Sequence, residues 1–375
     1  MRILIDFTQV PLEKCGIGIY ALNLVLKLYE MDKKNTYYLL IQNDDDSLGF
    51  INSPCFKIIT VNSKIFRKFI FRCMLEQFYI PFLAFRYKIN VVHSIHYSFP
   101  LLLCAKRVVT IPDMTFFKFP ERHLTVKRLY FRFFIYAASL LADKVITISN
   151  SSRNDYLQRF KAPPESIEVV YLGKSAVFNT NLDKSRIDLV KKKYRICNEY
   201  ILYLGTIEPR KNIQNLITAF DKFRKEVDGK FQLVIAGKKG WHYNGIFRMV
   251  EDLSLKEKVI FTGFVAEDEK PFLIGGAKIF VYPSIYEGFG IPVLEALSCG
   301  IPTITSNVSS LPEVAGDAAI LIDPNSIDEL GLSIKRLYND GALYEQLRAK
   351  SVAQSSKFSW ERCAYQTINL YNSLG

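Results

Sequence analysis

Short runs of β-branched and aromatic residues alternate with longer stretches of helical spacing from one end of the chain to the other. The runs predict strands at 3–5, 37–41, 57–61, 91–93, 108–111, 145–148 and 168–171, and then at 200–204, 231–235, 259–261, 279–282, 303–304 and 319–321. Between the first of them the spacing predicts helices over 17–30, 64–87, 124–141 and 151–160. These are apolar runs bounded by turn signals, which suggests strands buried on both faces. Strands of that kind belong in a parallel sheet covered by helices on either side. The chain is therefore expected to be α/β.

At 375 residues it is long enough for two such domains. The segment 175–198 is polar, rich in lysine and without a strand signal, and a new strand series opens at 200–204. The expected division is an N-terminal domain over 1–175 and a C-terminal domain over 176–357, with a last helical pattern at 360–374. In open α/β sheets a ligand sits beyond the carboxyl ends of the strands. The residues that matter should therefore follow strands.

The most specific such segment is Y-E-G-F-G-I-P-V-L-E, residues 286–295, after the strand at 279–282. Gly288 and Gly290 let the backbone turn tightly and approach a ligand. Pro292 suits the first turn of a helix. The free N–H groups and dipole of that helix favour an anion, and Phe289 and Ile291 lie in the same loop. Glu287 and Glu295 are separated by seven residues, and carboxylates beside a phosphate site suit sugar hydroxyls as hydrogen-bond acceptors. The bland alternative is a glycine loop with two solvated glutamates.

A second segment, L-G-T-I-E-P-R-K-N at 204–212, directly follows the strand at 200–204. Gly205 ends that strand, Thr206 follows, and Arg210 and Lys211 sit where a helix should begin. Two cations at a helix start would hold a diphosphate. Taken alone, the pair could be merely solvated. A third segment, C-G-I-G-I-Y at 15–20, offers Gly16 and Gly18 but has Ala21 where a dinucleotide fingerprint would carry its third glycine. A plain strand-to-helix turn explains it as well as a phosphate loop does.

Together these segments resemble the retaining nucleotide-sugar glycosyltransferases of family 4. The likeness continues through A-L-S-C-G-I-P-T-I-T-S at 296–306, L-P-E-V-A-G-D-A-A at 311–319 and A-G-K-K-G-W at 236–241, which contributes Gly237 and Lys238. The form is similar to bacterial enzymes that build polysaccharide from GDP-mannose or dTDP-rhamnose. The resemblance implies the GT-B fold, two Rossmann-like domains facing across a cleft, with a final helix at 358–375 packing back on the N-terminal domain. It implies Lys211 and Arg210 on the donor diphosphate, Glu295 on the ribose hydroxyls, Glu287 at the donor sugar, and Gly16 and Gly18 near the phosphates. Gly205, Thr206, Gly237, Lys238, Gly288, Phe289, Gly290 and Ile291 would line the donor. No cofactor and no metal are expected.

Two departures stand out. Thr206 replaces an arginine common in relatives, and Pro112-Asp113 replaces a His-Asp pair. His93, His96 and Asp113 are the acceptor-side candidates, against the plain reading of the histidines as structural. The same fold also hosts nucleotide-sugar 2-epimerases, and a catalytically dead relative that binds membrane or nucleic acid is a third reading.

Charge narrows the partners. The formal net charge is +12. Residues 1–175 hold 24 Lys+Arg and 14 Asp+Glu, a net +10, so the N-terminal half carries nearly all of the excess. Within 57–132 the count is 14 against 3, interleaved with aromatics in I-F-R-K-F-I-F-R at 65–72 and L-Y-F-R-F-F-I-Y at 129–136. That mixture suits an anionic membrane surface. Incidentally charged core helices are the alternative, and no zinc finger or RNP-type motif speaks for nucleic acid. The seven cysteines are scattered, without a C-x-x-C pair, as in a reducing cytosol. The N-terminus has no signal-peptide pattern. The expectation is a cytoplasmic, metal-independent, retaining hexosyltransferase at the inner face of the membrane. It would take a nucleotide-sugar donor and a glycan or polyprenyl-diphosphate-linked acceptor.

Overall fold

The computed structural model describes residues 1–375 except 15, 123 and 228–230. Cys15, which opens the C-G-I-G-I-Y segment, lies outside the described residues. The chain divides into two compact units, Met1–Gly173 with Ser359–Gly375, and Lys174–Phe358.

The first unit holds seven parallel strands: β1 (Arg2–Asp6), β2 (Thr36–Gln42), β3 (Phe56–Val61), β4 (Val91–Ser94), β5 (Lys106–Ile111), β6 (Lys144–Thr147) and β7 (Ile167–Val169). Their order is β3-β2-β1-β4-β5-β6-β7. The second unit holds six: β8 (Glu199–Leu204), β9 (Phe231–Ala236), β10 (Val259–Gly263), β11 (Ile279–Tyr282), β12 (Thr303–Ser306) and β13 (Ala319–Ile322). They run β10-β9-β8-β11-β12-β13. Each of the thirteen apolar runs is thus a strand, with ends shifted by a residue or two. In each sheet the chain walks outward to one side and then returns to build the other. The strand order reverses at β1/β4 in one unit and at β8/β11 in the other, which is the doubly wound topology with its ligand-binding switch point.

Burial explains the run pattern. Ile3, Leu4 and Ile5 of β1, Ile201, Leu202 and Tyr203 of β8, and Leu233 to Ala236 of β9 are wholly inaccessible. Helices cover both faces, so neither parity of a central strand can be polar without a partner.

Two helical stretches differ from the spacing. The segment 64–87 is not one helix. It comprises Ser63–Phe66, Phe69–Met74, a π-helical turn at Leu75–Tyr79, and Ile80–Arg86. Pro81 has no N–H, and its ring crowds the carbonyl four residues back; a wider turn just before it removes that conflict. The polar stretch after residue 175 contains the helix Lys184–Lys193, capped by the Asp183 carboxylate on Ser185 N–H. It buries only Val190, too little apolar periodicity to announce itself.

The final helix, Trp360–Asn372, belongs to the first unit and packs on Ile17–Met31. Ser359 caps it, accepting from Arg362 N–H. Trp360, Cys363, Ala364, Thr367, Leu370 and Tyr371 are its buried stripe. Where the chain passes this helix, Gly173 is obligatory. A Cβ there would stand 2.1 Å from the Trp360 nitrogen.

Candidate active site

The second unit's switch point lies between the ends of β8 and β11. After β8 the chain passes Gly205 and the exposed Thr206 and closes a 3-10 turn at Pro209–Lys211. Asn212 then takes a left-handed conformation, φ 57°, before the helix Ile213–Arg224. Its amide donates to the Pro324 carbonyl, 2.5 Å away, fixing where the helix starts. The neighbouring strand end is pressed against this loop. A Cβ on Gly237 would lie 2.0 Å from the Gly205 carbonyl oxygen, so only glycine fits.

After β11, Ile285 N–H donates to the Arg210 carbonyl, tying the two loops together. Arg210 Nη1 donates to the Tyr286 carbonyl at 2.5 Å and to Glu287 Oε2 at 2.9 Å. Lys211 Nζ donates to Glu287 Oε1 at 2.5 Å and to the Tyr282 hydroxyl at 2.6 Å. Ser284 Oγ donates to Glu287 Oε1 at 2.5 Å. Glu208 accepts from Arg210 Nε at 2.9 Å and from the Trp241 indole at 3.1 Å. Ser309 Oγ accepts from the Glu287 N–H, and Ser310 Oγ donates to the Glu287 and Phe289 carbonyls.

Lys211 and Glu287 are nearly inaccessible, at 6% and 8%. Burial opposes ionisation of Glu287. The charges of Arg210 and Lys211 and the Lys211 and Ser284 hydrogen bonds outweigh it and hold the carboxyl at about 2. Burial, then the nearby Arg210 charge, pull the Lys211 ammonium below its ordinary value, while Glu287 pulls the other way. The cluster is thus two cations held rigidly by one buried carboxylate and steadied from behind by Glu208. An ammonium can donate three hydrogen bonds; Lys211 spends two, on Glu287 and Tyr282, among the described residues.

The helix Ile291–Ser298 begins at Gly290, whose φ of 112° favours glycine. Glu295 is its fifth residue, in the second turn. Its carboxyl is 6% exposed and makes no hydrogen bond among the described residues. Burial raises its pKa to about 8, against a weaker pull from Lys270. Between about 4.5 and 8 the folded protein therefore keeps a proton that the unfolded chain has released, and stability falls as pH rises through that window. Glu295→Gln should raise the melting temperature at pH 8 by a few degrees and flatten its pH dependence. An unchanged slope in thermal melts from pH 5 to 8 would overturn the assignment.

The structure brings Gly205, Thr206, Arg210, Lys211, Glu287 and the start of the helix at Gly290 and Ile291 to one end of one sheet, with Gly237 and the exposed Lys238 beside them. The Lys238 ammonium sits 4.7 Å above the Phe264 ring. Gly288 is half-buried in the same loop. The Phe289 side chain is buried edge-on against Phe358, so its part in the donor loop falls to its main chain. Gly16 and Gly18 stand in the other unit. Gly16, φ 50°, is exposed and caps Ile17–Met31, whereas Gly18 is buried inside that helix rather than in a loop.

His93 is also corrected. It lies on β4, wholly buried, with Nδ1 2.6 Å from the Tyr371 hydroxyl and Nε2 2.8 Å from Thr110 Oγ1. Burial lowers its pKa to about 3. It is a neutral core residue that no acceptor can touch. Asp113 spends Oδ1 on Tyr97 and on the N–H and hydroxyl of Thr115, as a turn former. His96 is half-buried, 3.2 Å from the Gln9 amide, and burial followed by the Arg72 charge lowers its pKa to about 4. It remains the accessible histidine of the three candidates.

Glu208, Trp241, Tyr282, Ser284, Ser309 and Ser310 were not singled out by the sequence. Glu208 and Trp241 lie inside quoted motifs, but their bond joins residues 33 positions apart and has no local signature.

Two family models match the chain: "Glycosyltransferase Family 4" over residues 16–174 and "Glycosyl transferases group 1" over 188–353. The O-antigen chain mannosyltransferase B of Escherichia coli is 34% identical over 288 residues, covering 77% of this chain and 75% of that one. The chain belongs to glycosyltransferase family 4. The O-antigen chain mannosyltransferase RfbU of Salmonella typhimurium is 28% identical, over 80% of this glycosyltransferase and 83% of that protein. In fold it matches Anabaena Alr3699/HepE, solved in complex with UDP and glucose, with a TM-score of 0.78 at 16% identity over the whole of both chains. The glycosyltransferase has the GT-B fold, with two Rossmann-like domains. The bonded pair of loops at β8 and β11 therefore sits in the group 1 portion, where both motifs lie.

Proposed function

We propose that this glycosyltransferase moves a mannosyl residue from GDP-mannose, with retention at the anomeric carbon, to a glycan or polyprenyl-diphosphate-linked acceptor of a cell-surface polysaccharide such as O-antigen. The observation that carries the reading is the cation pair Arg210–Lys211, locked by Glu287 at the β8/β11 switch point. As the bond from the sugar to the diphosphate breaks, negative charge grows on the leaving phosphate. A group already fixed in place stabilises that charge without reorganising. The third N–H of Lys211 is the donor we assign to a phosphate oxygen, with Arg210 beside it. The buried carboxyl of Glu295, which makes no hydrogen bond among the described residues, is what a ribose diol would satisfy, as acceptor or donor. Glu287 cannot serve as a general acid, because its carboxyl near 2 is ionised at neutral pH. Its part is to hold both cations at the sugar end of the loop. Mannose is supported by the names of the two bacterial relatives. Retention is supported by the resemblance carried by the Glu287–Glu295 motif. A lipid-linked acceptor would put the enzyme at the inner face of the membrane.

The phosphate charge is met by Arg210 and Lys211, so we propose that no metal is needed. A thermal-shift panel of GDP, UDP, dTDP and ADP tests the donor. The preferred nucleotide at a hundred times its Kd should stabilise by about 2.7 kcal/mol. GDP should give the largest shift, and transfer of mannose from GDP-mannose should survive EDTA. A shift with UDP alone would overturn the donor. Activity lost to EDTA and restored by Mn²⁺ would overturn metal independence.

A further inference from the structure

The broken helical segment of the first unit exposes apolar side chains in a single stripe. Phe71, Met74, Phe78, Phe82 and Phe85 recur at three- and four-residue steps, and the last three are 73%, 57% and 77% exposed. Below them a groove of about 350 Å³ is lined by Phe66, Met74, Leu75, Phe78, Tyr79 and Phe82. The neighbouring helix, Thr125–Leu141, docks beside this segment through Tyr130, which packs on Phe69 and donates to Glu76. It too has a second stripe pointing outward, Val126, Leu129, Phe133, Tyr136 and Leu140, opposite its buried Phe131, Phe134, Ile135 and Ala138. A soluble surface rarely leaves so much contiguous apolar area open without a partner.

The fringe of the groove identifies the partner. Residues 57–90 contain seven Lys+Arg and a single acid, Glu76. Glu76 is wholly buried and spent on Arg72, Ser98, Gln77 and Tyr130. Arg72 is therefore an interior residue, and Arg67 is held by two hydrogen bonds to Asp44. Lys64, Lys68, Arg86 and Lys88 are exposed and have no acidic partner among the described residues. A second copy of this chain would bring two such basic fringes together, which disfavours self-association. An anionic surface that accepts aromatic rings to a shallow depth matches both the stripe and the fringe. Long basic side chains reach its headgroups while their stems lie along the apolar layer. No helix among the described residues is long and apolar enough to cross a membrane, so the contact would be in the plane of the surface.

We infer that the stripe and groove of Ser63–Arg86 form a docking face for an anionic phospholipid bilayer, with Phe78, Phe82 and Phe85 as the inserted anchors and Lys64, Lys68, Arg86 and Lys88 as the headgroup contacts. The inference deepens the reading of a lipid-linked acceptor, but it is tested without donor or acceptor. The full chain is sedimented with vesicles of phosphatidylcholine alone and of phosphatidylcholine with phosphatidylglycerol, at low and high salt. Binding should require the anionic lipid and weaken with salt. Phe78→Ser/Phe82→Ser/Phe85→Ser should lower it about tenfold or more, and so should Lys64→Ser/Lys68→Ser/Arg86→Ser/Lys88→Ser. The melting transition of the first unit, which carries every substituted residue, serves as the folding control and should be unchanged in both variants, as should the GDP-induced shift of the second unit. A lost GDP response with vesicle binding intact would sink the donor reading alone. Equal binding to both vesicles, or binding to neither, would overturn the docking face. A dimer in sedimentation velocity that the triple phenylalanine variant abolishes would assign the face to a second copy instead.

Discussion

Lys211→Ala should lower the rate of sugar transfer by about 10²–10³-fold, which corresponds to roughly 3–4 kcal/mol of lost transition-state stabilisation. The side chain is nearly inaccessible and its ammonium is fixed by Glu287 and Tyr282, so it meets the leaving phosphate already oriented. The loss should fall on kcat as well as on KM, because phosphate charge is greatest in the transition state. Glu287→Gln separates placement from charge. The amide keeps the size of the side chain and one acceptor oxygen but gives up the charge that holds Arg210 and Lys211. It leaves the buried Lys211 and the half-buried Arg210 facing one another, with the Glu208 carboxylate still on Arg210. We expect a similar loss of transfer together with a lower melting temperature, since breaking a buried ion pair from one side costs about 3–5 kcal/mol. Lys211→Ala removes a cation instead, and Ser284 and Arg210 still satisfy Glu287. Its melting temperature should therefore suffer less than its rate. Steady-state kinetics with GDP-mannose, alongside calorimetry on both variants, check the contrast. A Lys211→Ala enzyme within about threefold of the parent kcat/KM would remove this residue from the reaction.

How much of this site could be read in advance follows from the distances along the chain. The central strands were legible because burial on both faces writes itself into every residue of a short run, and the half-exposed edge strands β3, β7, β10 and β13 because their runs are β-branched or aromatic. The loops after β8 and β11 were legible because each packs glycine, charge and a helix start into ten residues. What joins them was not. The Arg210–Glu287 and Lys211–Glu287 bonds span 77 and 76 residues, and Glu208 is steadied by an indole in a third loop. His93 shows the opposite error. Its position at a strand end suggested a ligand, yet the same burial that defines β4 leaves no side of that strand open. Its partner, Tyr371, is 278 residues away, in the final helix, and no local pattern announces a contact over that distance. Arg72 is a comparable case. Read as a surface cation in a basic run, it points inward because Glu76, one turn on, is buried with it. Composition along a helix gives the charge of a segment, but only packing decides which of its charges face out.

Removal of residues 359–375 should unfold the first unit and abolish transfer while leaving nucleotide binding by the second unit intact. The magnitudes decide the outcome. The final helix buries Trp360, Cys363, Ala364, Thr367, Leu370 and Tyr371. Losing even a single large buried side chain costs about 2–5 kcal/mol, and a whole domain is stable by only about 5–15 kcal/mol. Deletion also strips the cover from Ile17–Met31, whose Tyr20, Ala21, Leu24, Val25 and Leu28 are buried. It orphans His93 Nδ1 as well, since the Tyr371 hydroxyl is its partner at 2.6 Å. Tyr371→Phe isolates that last contribution. It removes one hydroxyl from a buried pair and should cost about 1–3 kcal/mol, lowering the first unit's melting temperature without unfolding it. Calorimetry of the two variants, with and without GDP, separates the units. The truncated chain should lose the transition belonging to residues 1–173 and keep a GDP-responsive transition from residues 174–358. The second unit has its own six-stranded sheet and ends at Phe358, whose ring packs on Phe289 and whose carbonyl accepts from Lys174 N–H. That contact closes the unit before the final helix begins. A truncated protein that keeps both transitions and still transfers sugar would mean that the helix is dispensable and that the first sheet is stable on the cover of its other helices alone.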